Sequence, residues 1–188
     1  MKDESIKSRF APSMSFSRFK HTFGVIQTAT HLAEVFGADV KKAECAAFLH
    51  DCAKNMEPND MIALSEEEGF APDEFELNAP AILHAPAGAA LARRGFGITD
   101  PEILNAIRCH TIGCINPTKL DAIIFVADFI EPYRKPFDGL DKARALSETD
   151  LLSAMKECAR LSGEYVLSQG GQMHPTTIKM INDTEDLI

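Results

Sequence analysis

The chain has 188 residues, 45% of them hydrophobic and 25% charged, which predicts one globular domain with a sizeable core. Its formal net charge of -9 argues against a general DNA- or RNA-binding protein, which needs a basic surface to contact phosphates. The five cysteines form no CxxC pair, so we expect free, packed thiols rather than a disulfide framework or a zinc ribbon.

The N-terminal stretch does not show the basic start and apolar run of a signal peptide. No apolar run approaches the ~18 residues that a membrane span needs. We therefore expect a cytoplasmic protein that binds no membrane. Residues 1–16 are interpreted as a leader, and the first helix is predicted from about residue 17 to residue 36, with Gly37 as its stop signal.

Helical patterns continue along the chain. Asp39 is an N-cap for a helix over about residues 40–53, and Pro58 opens a short helix that ends near residue 68. Residues 69–80 are predicted to be a loop. Pro86 suits the first turn of a helix that runs to residue 94 and stops at Gly95.

Three further helices are predicted at residues 101–110, 118–131 and 150–168. The tail from residue 172 begins as a loop and has room for one short helix. Because no strand-like alternation, heptad run or repeat is present, the predicted fold class is all-α. We expect a single helical domain over residues 17–182 and a C-terminal tail over residues 183–188.

An adjacent His-Asp pair, His50-Asp51, is weak information by itself, because such dipeptides are common. Asp128 makes the pair more informative, because it is a second carboxylate that is predicted to be buried. The helix around Asp128 is apolar nearly all round and is predicted to be buried, where a carboxylate must be neutralised, paired or metal-bound. A pair with a buried cation such as Arg108 is the alternative to a metal.

Further histidines supply co-ligands. His21 lies on the apolar stripe of the first helix, whereas His31 is rotated off it and is expected at the surface. His50 shares a face with small alanines, where a close helix neighbour is expected. His21, His50, Asp51 and Asp128 therefore come from three helices, and such a mixed nitrogen and oxygen set suits Fe, Mn, Co or Zn.

His84 and His110 lie at predicted helix ends, which we expect to be exposed or to face a cleft. Each has an ordinary interpretation as a cap or surface residue. Together with the buried set, they are alternatively candidates to bind a second metal or phosphates.

These residues resemble the H…HD…D pattern of the HD-domain superfamily. Within it, the chain is similar to the YqeK family over residues 17–182. The similar segments are Arg18–Val25, Ala46–Lys54, Leu83–Ala89, Ala106–Thr111, Phe125–Arg134 and Gly171–Pro175. Cys114 departs from the pattern, since many relatives have an arginine there, and its effect on phosphate binding is left open.

The resemblance implies an HD-domain helical bundle and a bacterial enzyme that splits diadenosine tetraphosphate symmetrically into two ADP. Its metal, iron first or else Mn, Co or Zn, as one or two ions, would be held by His21, His50, Asp51 and Asp128. As a mechanistic hypothesis, the catalytic residues are Asp51, which would ligate the metal and orient the water, and His84 or His110, one of which would protonate the leaving phosphate. The implied nucleotide-binding residues are Gly24, Lys54, His84, His110, Thr111, Arg134, Gly171, Gln172, Met173, His174 and Pro175.

Other functions stay open at this point. An HD enzyme of this kind could act on a nucleoside monophosphate, a deoxynucleoside triphosphate, a cyclic nucleotide or a guanosine alarmone. The chain could also bind a nucleotide without turnover, or be an all-α scaffold with incidental histidines. The expected partner is a small-molecule nucleotide, and a homodimer is left open.

Overall fold

Ten α-helices follow one another through residues 15–182, the part of the chain that the computed structural model describes, and no strand lies within it. They are α1 Phe16–Phe36, α2 Val40–Leu49, α3 Pro58–Glu67, α4 Glu74–Leu77, α5 His84–Phe96, α6 Pro101–Cys109, α7 Lys119–Ile130, α8 Leu140–Ser147, α9 Leu151–Ser168 and α10 Pro175–Asn182. A 3-10 turn, Pro80–Ile82, precedes α5. The all-α prediction is confirmed.

Side-chain caps set most helix starts, because they satisfy backbone amides that have no partner inside the helix. Asp39 accepts hydrogen bonds from the first amides of α2, and Asp100 does so for α6. Thr118 and Asp121 form a reciprocal capping box at the start of α7. Gly37 ends α1 in the left-handed conformation that glycine adopts readily.

Helix α7 lies at the centre of the fold, where it packs against α1, α2, α6 and α9. Its side chains are buried on nearly every face, as its apolar sequence predicts. Helices α5 and α6 pack against each other, and α6 also packs against α2. The ends of α2, α5, α6 and α7 are therefore positioned around one region.

The prediction that His50 and Asp51 lie within a helix is wrong. Helix α2 ends at Leu49 instead of continuing to Ala53, and the chain leaves it in short turns. The amides of Cys52 and Lys54 bond to carbonyls three residues earlier instead of four. The HD pair therefore lies on a tight turn directly after a helix.

The predicted loop over residues 69–80 contains α4, which a capping box between Asp73 and Glu76 starts. Glu76 is fully buried because Arg108 pairs with it from α6, and that tertiary contact leaves no local sequence pattern. Helix α8 was not predicted: it begins after Gly139 with no side-chain cap. Helix α5 runs longer than predicted, with Gly97 as its stop.

The predicted domain limits stay predictions, since residues 1–14 and 183–188 lie outside the described part of the chain. Ser15 caps α1 and Phe16 begins it, so the predicted leader and the first helix share one residue. The predicted short helix in the tail is α10. None of the described helices combines the length and apolar character needed to cross a membrane. All five cysteines are free thiols, as predicted.

Candidate metal centre and nucleotide cavity

Four side chains predicted to bind a metal lie together where three helices meet. Helix α1 carries His21, the turn after α2 carries His50 and Asp51, and the end of α7 carries Asp128. His21 Nε2 lies 3.1 Å from Asp128 Oδ1, and His50 Nε2 lies 3.9 Å from the same oxygen. We call these four residues the His21 group.

A second set of side chains shares Asp51 with the first. His84 Nε2 and His110 Nε2 lie 3.2 Å and 3.7 Å from Asp51 Oδ1. We call Asp51, His84 and His110 the His84 group. These histidines were expected to be exposed or to face a cleft. Each is 3% exposed, so solvent exposure is excluded, and the packing of α5 against α6 turns both toward the metal centre.

Backbone contacts fix which ring nitrogen carries the proton in three of the histidines. Nδ1 donates to the carbonyl three residues earlier, from His50 to Ala47 at 2.7 Å, from His84 to Ala81 at 2.9 Å and from His110 to Ile107 at 2.7 Å. Because a carbonyl oxygen only accepts, Nε2 of each neutral ring presents a lone pair. That arrangement is typical of histidine metal ligands.

These lone pairs converge on one region and fit a metal ion. His84 Nε2 lies 3.2 Å from His110 Nε2, and two facing acceptors repel unless a cation lies near both. Within residues 15–182, the buried atoms His50 Nε2 and Asp51 Oδ1 make no hydrogen bond. The ligand atoms of His21, His50 and Asp51 lie within 4.8 Å of one another, as do those of the His84 group.

Two cations, Lys54 and Arg134, contact the candidate metal ligands. Lys54 Nζ donates to His84 Nε2 at 2.8 Å and lies 3.3 Å from Asp51 Oδ1. Arg134 Nη2 donates to Asp128 Oδ1 at 3.0 Å. Both cations were predicted to bind the nucleotide, and both lie at the metal centre.

The ion pair considered as the alternative for Asp128 is not the one that forms. Arg108 Nη2 binds Glu76 Oε2 at 2.6 Å, whereas Asp128 pairs with Arg134. The side chain of Asp128 is also 24% exposed, although the apolar helix around it predicted full burial. Asp128 lies near the end of α7 and opens to a cleft.

Glu131 is a supporting residue that the sequence analysis did not single out. Its Oε1 accepts from His21 Nδ1 at 3.3 Å, which turns Nε2 of that ring toward the metal centre. A Cβ on Gly24 would lie 2.5 Å from Glu131 Oε2, so glycine allows α1 to approach this carboxylate. The position of Glu131, three residues after Asp128, was the available signal. The nucleotide contact expected for Gly24 stays a prediction.

The protonation of the His21 group is set by its carboxylates. Burial acts to lower the pKa of His21, but Asp128 and Glu131 outweigh it, and the net pKa is raised. Burial acts to raise the pKa of Asp128, but the hydrogen bond with His21 and the proximity of His50, His110 and Arg134 hold it well below the ordinary value. This group therefore contains a self-compensating ion pair.

Protonation is disfavoured in His50 and His84. Burial lowers the pKa of His50, and burial together with His110 and Lys54 lowers the pKa of His84 to about 2. Burial acts to raise the pKa of Asp51, yet the surrounding histidines and Lys54 depress it far below its ordinary value. Neutral imidazoles around an ionised carboxylate are the protonation states in which these residues ligate metals.

A cavity of about 830 Å³ lies beside the His84 group, and we call it the large cavity. Its walls include Phe75, Ile82 and Val166. Thr111 also lines it, and its Oγ1 is a buried atom with no hydrogen-bond partner in the described residues. Mostly apolar walls with a few unpaired polar atoms are typical of a small-molecule site, and this volume suits a nucleoside.

The predicted C-terminal loop closes the large cavity, which Gly171, Gln172, Met173 and His174 line. Pro175 is the first residue of α10 and is absent from that lining. His174 Nε2 donates to Asp73 Oδ2 at 2.8 Å, and its Nδ1 accepts from the amide of Thr176 at 3.0 Å. The buried His174 ring thereby fixes this loop to the start of α4.

Cys114, the position at which the sequence departs from the family pattern, lies away from these residues. Its sulfur, Cys109 Sγ and a carboxylate oxygen of Asp121 lie within 4.8 Å of one another. Both Asp121 oxygens already accept hydrogen bonds, from Asn105 and from the amide of Thr118. Cys114 does not line the large cavity.

Comparisons with known proteins agree with this geometry. The family model of the HD domain matches residues 18–133. A protein of Halalkalibacterium halodurans named symmetrical bis(5'-nucleosyl)-tetraphosphatase is 39% identical over 91% of this chain and 90% of its own. A Bacillus subtilis protein of the same name is 41% identical over 88% of each chain. The crystal structure of a predicted HD superfamily hydrolase involved in NAD metabolism from Clostridium acetobutylicum superimposes with a TM-score of 0.90, at 34% identity, over 97% of this chain and 96% of that one.

Proposed function

The chain belongs to the HD domain family, and from that membership we propose that it is a metal-dependent hydrolase that splits diadenosine tetraphosphate symmetrically into two ADP. The observation that carries the proposal is the convergence of three histidine lone pairs on Asp51 beside the large cavity. The names of the relatives supply the reaction, and the donor set and the cavity are what that reaction requires.

The proposed metal ligands divide into two sites that share Asp51. His21, His50, Asp51 and Asp128 would hold one ion, and Asp51, His84 and His110 would hold a second. Imidazole nitrogens with carboxylate oxygens suit first-row divalent ions, and iron is the one that the family resemblance implies. When bound, such ions polarise phosphoryl oxygens and make hydroxide available near neutral pH.

The chain's own residues would position the polyphosphate. One ADP half would occupy the large cavity, with its base between the apolar walls and its phosphates toward Thr111 and His110. Water adds to one of the two central phosphorus atoms, and the bond from that phosphorus to the bridging oxygen breaks, so the second ADP leaves with that oxygen. Lys54 and Arg134 offset charge on the phosphoryl oxygens.

His84 is better suited to ligation than to proton donation. With its pKa lowered to about 2, His84 is neutral near pH 7 and carries no proton on Nε2 to give to a leaving phosphate. We therefore infer that His84 is not the residue that protonates the departing ADP.

Product analysis tests the proposed function. Purified protein reconstituted with Fe²⁺, Mn²⁺, Co²⁺ or Zn²⁺ is incubated with diadenosine tetraphosphate, and the nucleotides are separated by chromatography. ADP as the sole product is expected, and chelation of the metal should abolish its release. AMP together with ATP would contradict symmetrical cleavage. Much faster turnover of a nucleoside monophosphate, a cyclic nucleotide or a guanosine alarmone would contradict the proposal that diadenosine tetraphosphate is the substrate.

A further inference from the structure

A second opening, much smaller than the large cavity, lies at the metal centre and shares no lining residue with that cavity. We call this opening of about 340 Å³ the small cleft. Three cations line it, Arg18, Lys54 and Arg134, together with the hydroxyl-bearing residues Ser15 and Ser17. Three of the proposed metal ligands complete its wall. The small cleft is polar, whereas the walls of the large cavity are mostly apolar.

Of the three cations of the small cleft, Arg18 is the one whose side chain has no partner among residues 15–182. Lys54 is engaged with His84, and Arg134 with Asp128. The half-buried Arg18 side chain makes no ion pair or hydrogen bond with any of the described residues. It lies about one helical turn before His21 on α1 and lines the same cleft. A guanidinium without a partner beside a metal centre is suited to bidentate binding of a phosphate.

The two openings share no lining residue, and they contact different parts of the metal centre. His21 and Asp128 line the small cleft, while Thr111, next to His110, lines the large cavity. Asp51 lines the small cleft and also contacts His84 and His110. A dinucleotide cut in the middle of its polyphosphate must place one half on each side of the point of cleavage.

We propose that the small cleft binds the phosphates of the second ADP half of the substrate and that Arg18 is their principal ligand. This proposal rests on the proposed function, since it assigns the half that the large cavity does not hold. The cleft is then a phosphate subsite that favours a substrate with at least two phosphates beyond the bond that is cleaved. Lys54 and Arg134 line the cleft and also contact Asp51 and Asp128, so they are placed to bind the phosphates next to the cleavage point.

Replacing Arg18 with Ala should weaken binding of the dinucleotide substrate. It should not weaken binding of a ligand that occupies only the large cavity. Loss of a charge-assisted phosphate contact should raise the KM for diadenosine tetraphosphate by about 10- to 100-fold, with kcat changed by less than about threefold. The inhibition constant of ADP should stay within about twofold of the wild-type value, because ADP fills the large cavity. Arg18→Lys should recover part of the loss. Lys41→Ala removes the same charge from an exposed site on α2 and should change neither constant.

Binding of inorganic pyrophosphate to the metal-loaded protein, followed by calorimetry, tests the subsite without turnover. Arg18→Ala should weaken this binding by about tenfold or more relative to Lys41→Ala. Equal pyrophosphate binding by the two variants, or an ADP inhibition constant that rises as much as the KM, would overturn the proposal. If the wild-type protein released no ADP from diadenosine tetraphosphate, the proposed function would fail, while the pyrophosphate comparison would still decide whether Arg18 binds phosphate. Thermal unfolding of Arg18→Lys and Arg18→Ala separates loss of binding from loss of fold.

Discussion

The His21 group and the His84 group share Asp51 but differ in how they are balanced without a metal. The His21 group contains its own counter-charges, since Asp128 and Glu131 flank His21 and raise its pKa. In the His84 group, the Nε2 atoms of His84 and His110 face each other at 3.2 Å, and the pKa of His84 is lowered to about 2. The first group is compensated within the protein, whereas the second depends on Lys54 or a metal for a positive charge. We call the metal sites of these two groups half-sites, and we expect mutation, acid and metal removal to affect them differently.

The largest effect is expected where the two groups meet. Asp51→Asn removes the negative charge that both half-sites share and should reduce metal content at both of them. ADP release should fall by at least about 1000-fold, because the activated water depends on the metal. Metal quantification and single-turnover assays measure this. Wild-type metal content and activity in this variant would contradict the assignment of Asp51.

Replacing a ligand that belongs to only one group should lower the metal content of one half-site and leave the other occupied. His110→Ala removes a ligand from the His84 group alone, so the bound metal should fall by one equivalent while the His21 group keeps its ion. Activity should fall by roughly 100-fold, less than for Asp51→Asn. Elemental analysis of the two variants side by side makes the comparison. Loss of all metal from His110→Ala would show that the two groups form one inseparable site.

Acid should destabilise the metal-free protein through the His84 group. A histidine with a lowered folded-state pKa contributes stability that is present above its unfolded pKa and is lost as the pH falls below it. For His84, whose pKa is about 2 in the folded state, the loss between about pH 7.5 and about pH 5 is about 2 kcal/mol. His21 has a raised pKa and the opposite sign, so its contribution is present below the unfolded pKa and is lost as the pH rises.

Urea unfolding of two variants measures the opposite pH dependences of stability that His84 and His21 contribute. His84→Asn should shrink the acid-dependent loss of unfolding free energy, whereas His21→Asn should enlarge it. The same change in both variants would contradict the difference between the groups.

The smallest effect concerns the cation of the His84 group. Lys54 Nζ occupies the His84 lone pair in the metal-free protein and competes with a metal there. Lys54→Met should therefore raise the Mn²⁺ affinity of that half-site by about fivefold, as expected for one partly screened charge. The KM for the substrate should rise in the same variant, because a phosphate ligand is lost. A lower Mn²⁺ affinity would instead make Lys54 a supporting residue of the metal site.

The sequence predicted the parts of this site that depend on local pattern. The apolar helix α7 predicted a buried central element, and Asp128 within it indicated a polar site. The His84 group was harder to predict, because a histidine at a helix end has the same local pattern whether it faces solvent or the core. The roles of Glu131 and Arg18 depend on which helices lie side by side, and no periodicity encodes that.

Most helix starts were predictable, because caps such as Asp39, Asp100 and Thr118 act through adjacent amides. Helices α4 and α8 were not. Helix α4 carries Glu76, whose burial is stabilised by Arg108 from a distant part of the chain. The end of α2 was also misjudged, since its alanine-rich sequence continues a helical pattern while the His50 ring bonds to the Ala47 carbonyl.

Anomalous X-ray scattering from crystals of the iron- or manganese-loaded protein locates the bound metal ions directly. We expect a strong metal peak among His21, His50, Asp51 and Asp128, and a second peak among Asp51, His84 and His110. Removing Lys54 should strengthen the second peak and leave the first unchanged. Density for a metal elsewhere, with none within ligand distance of Asp51, would contradict the proposed metal sites.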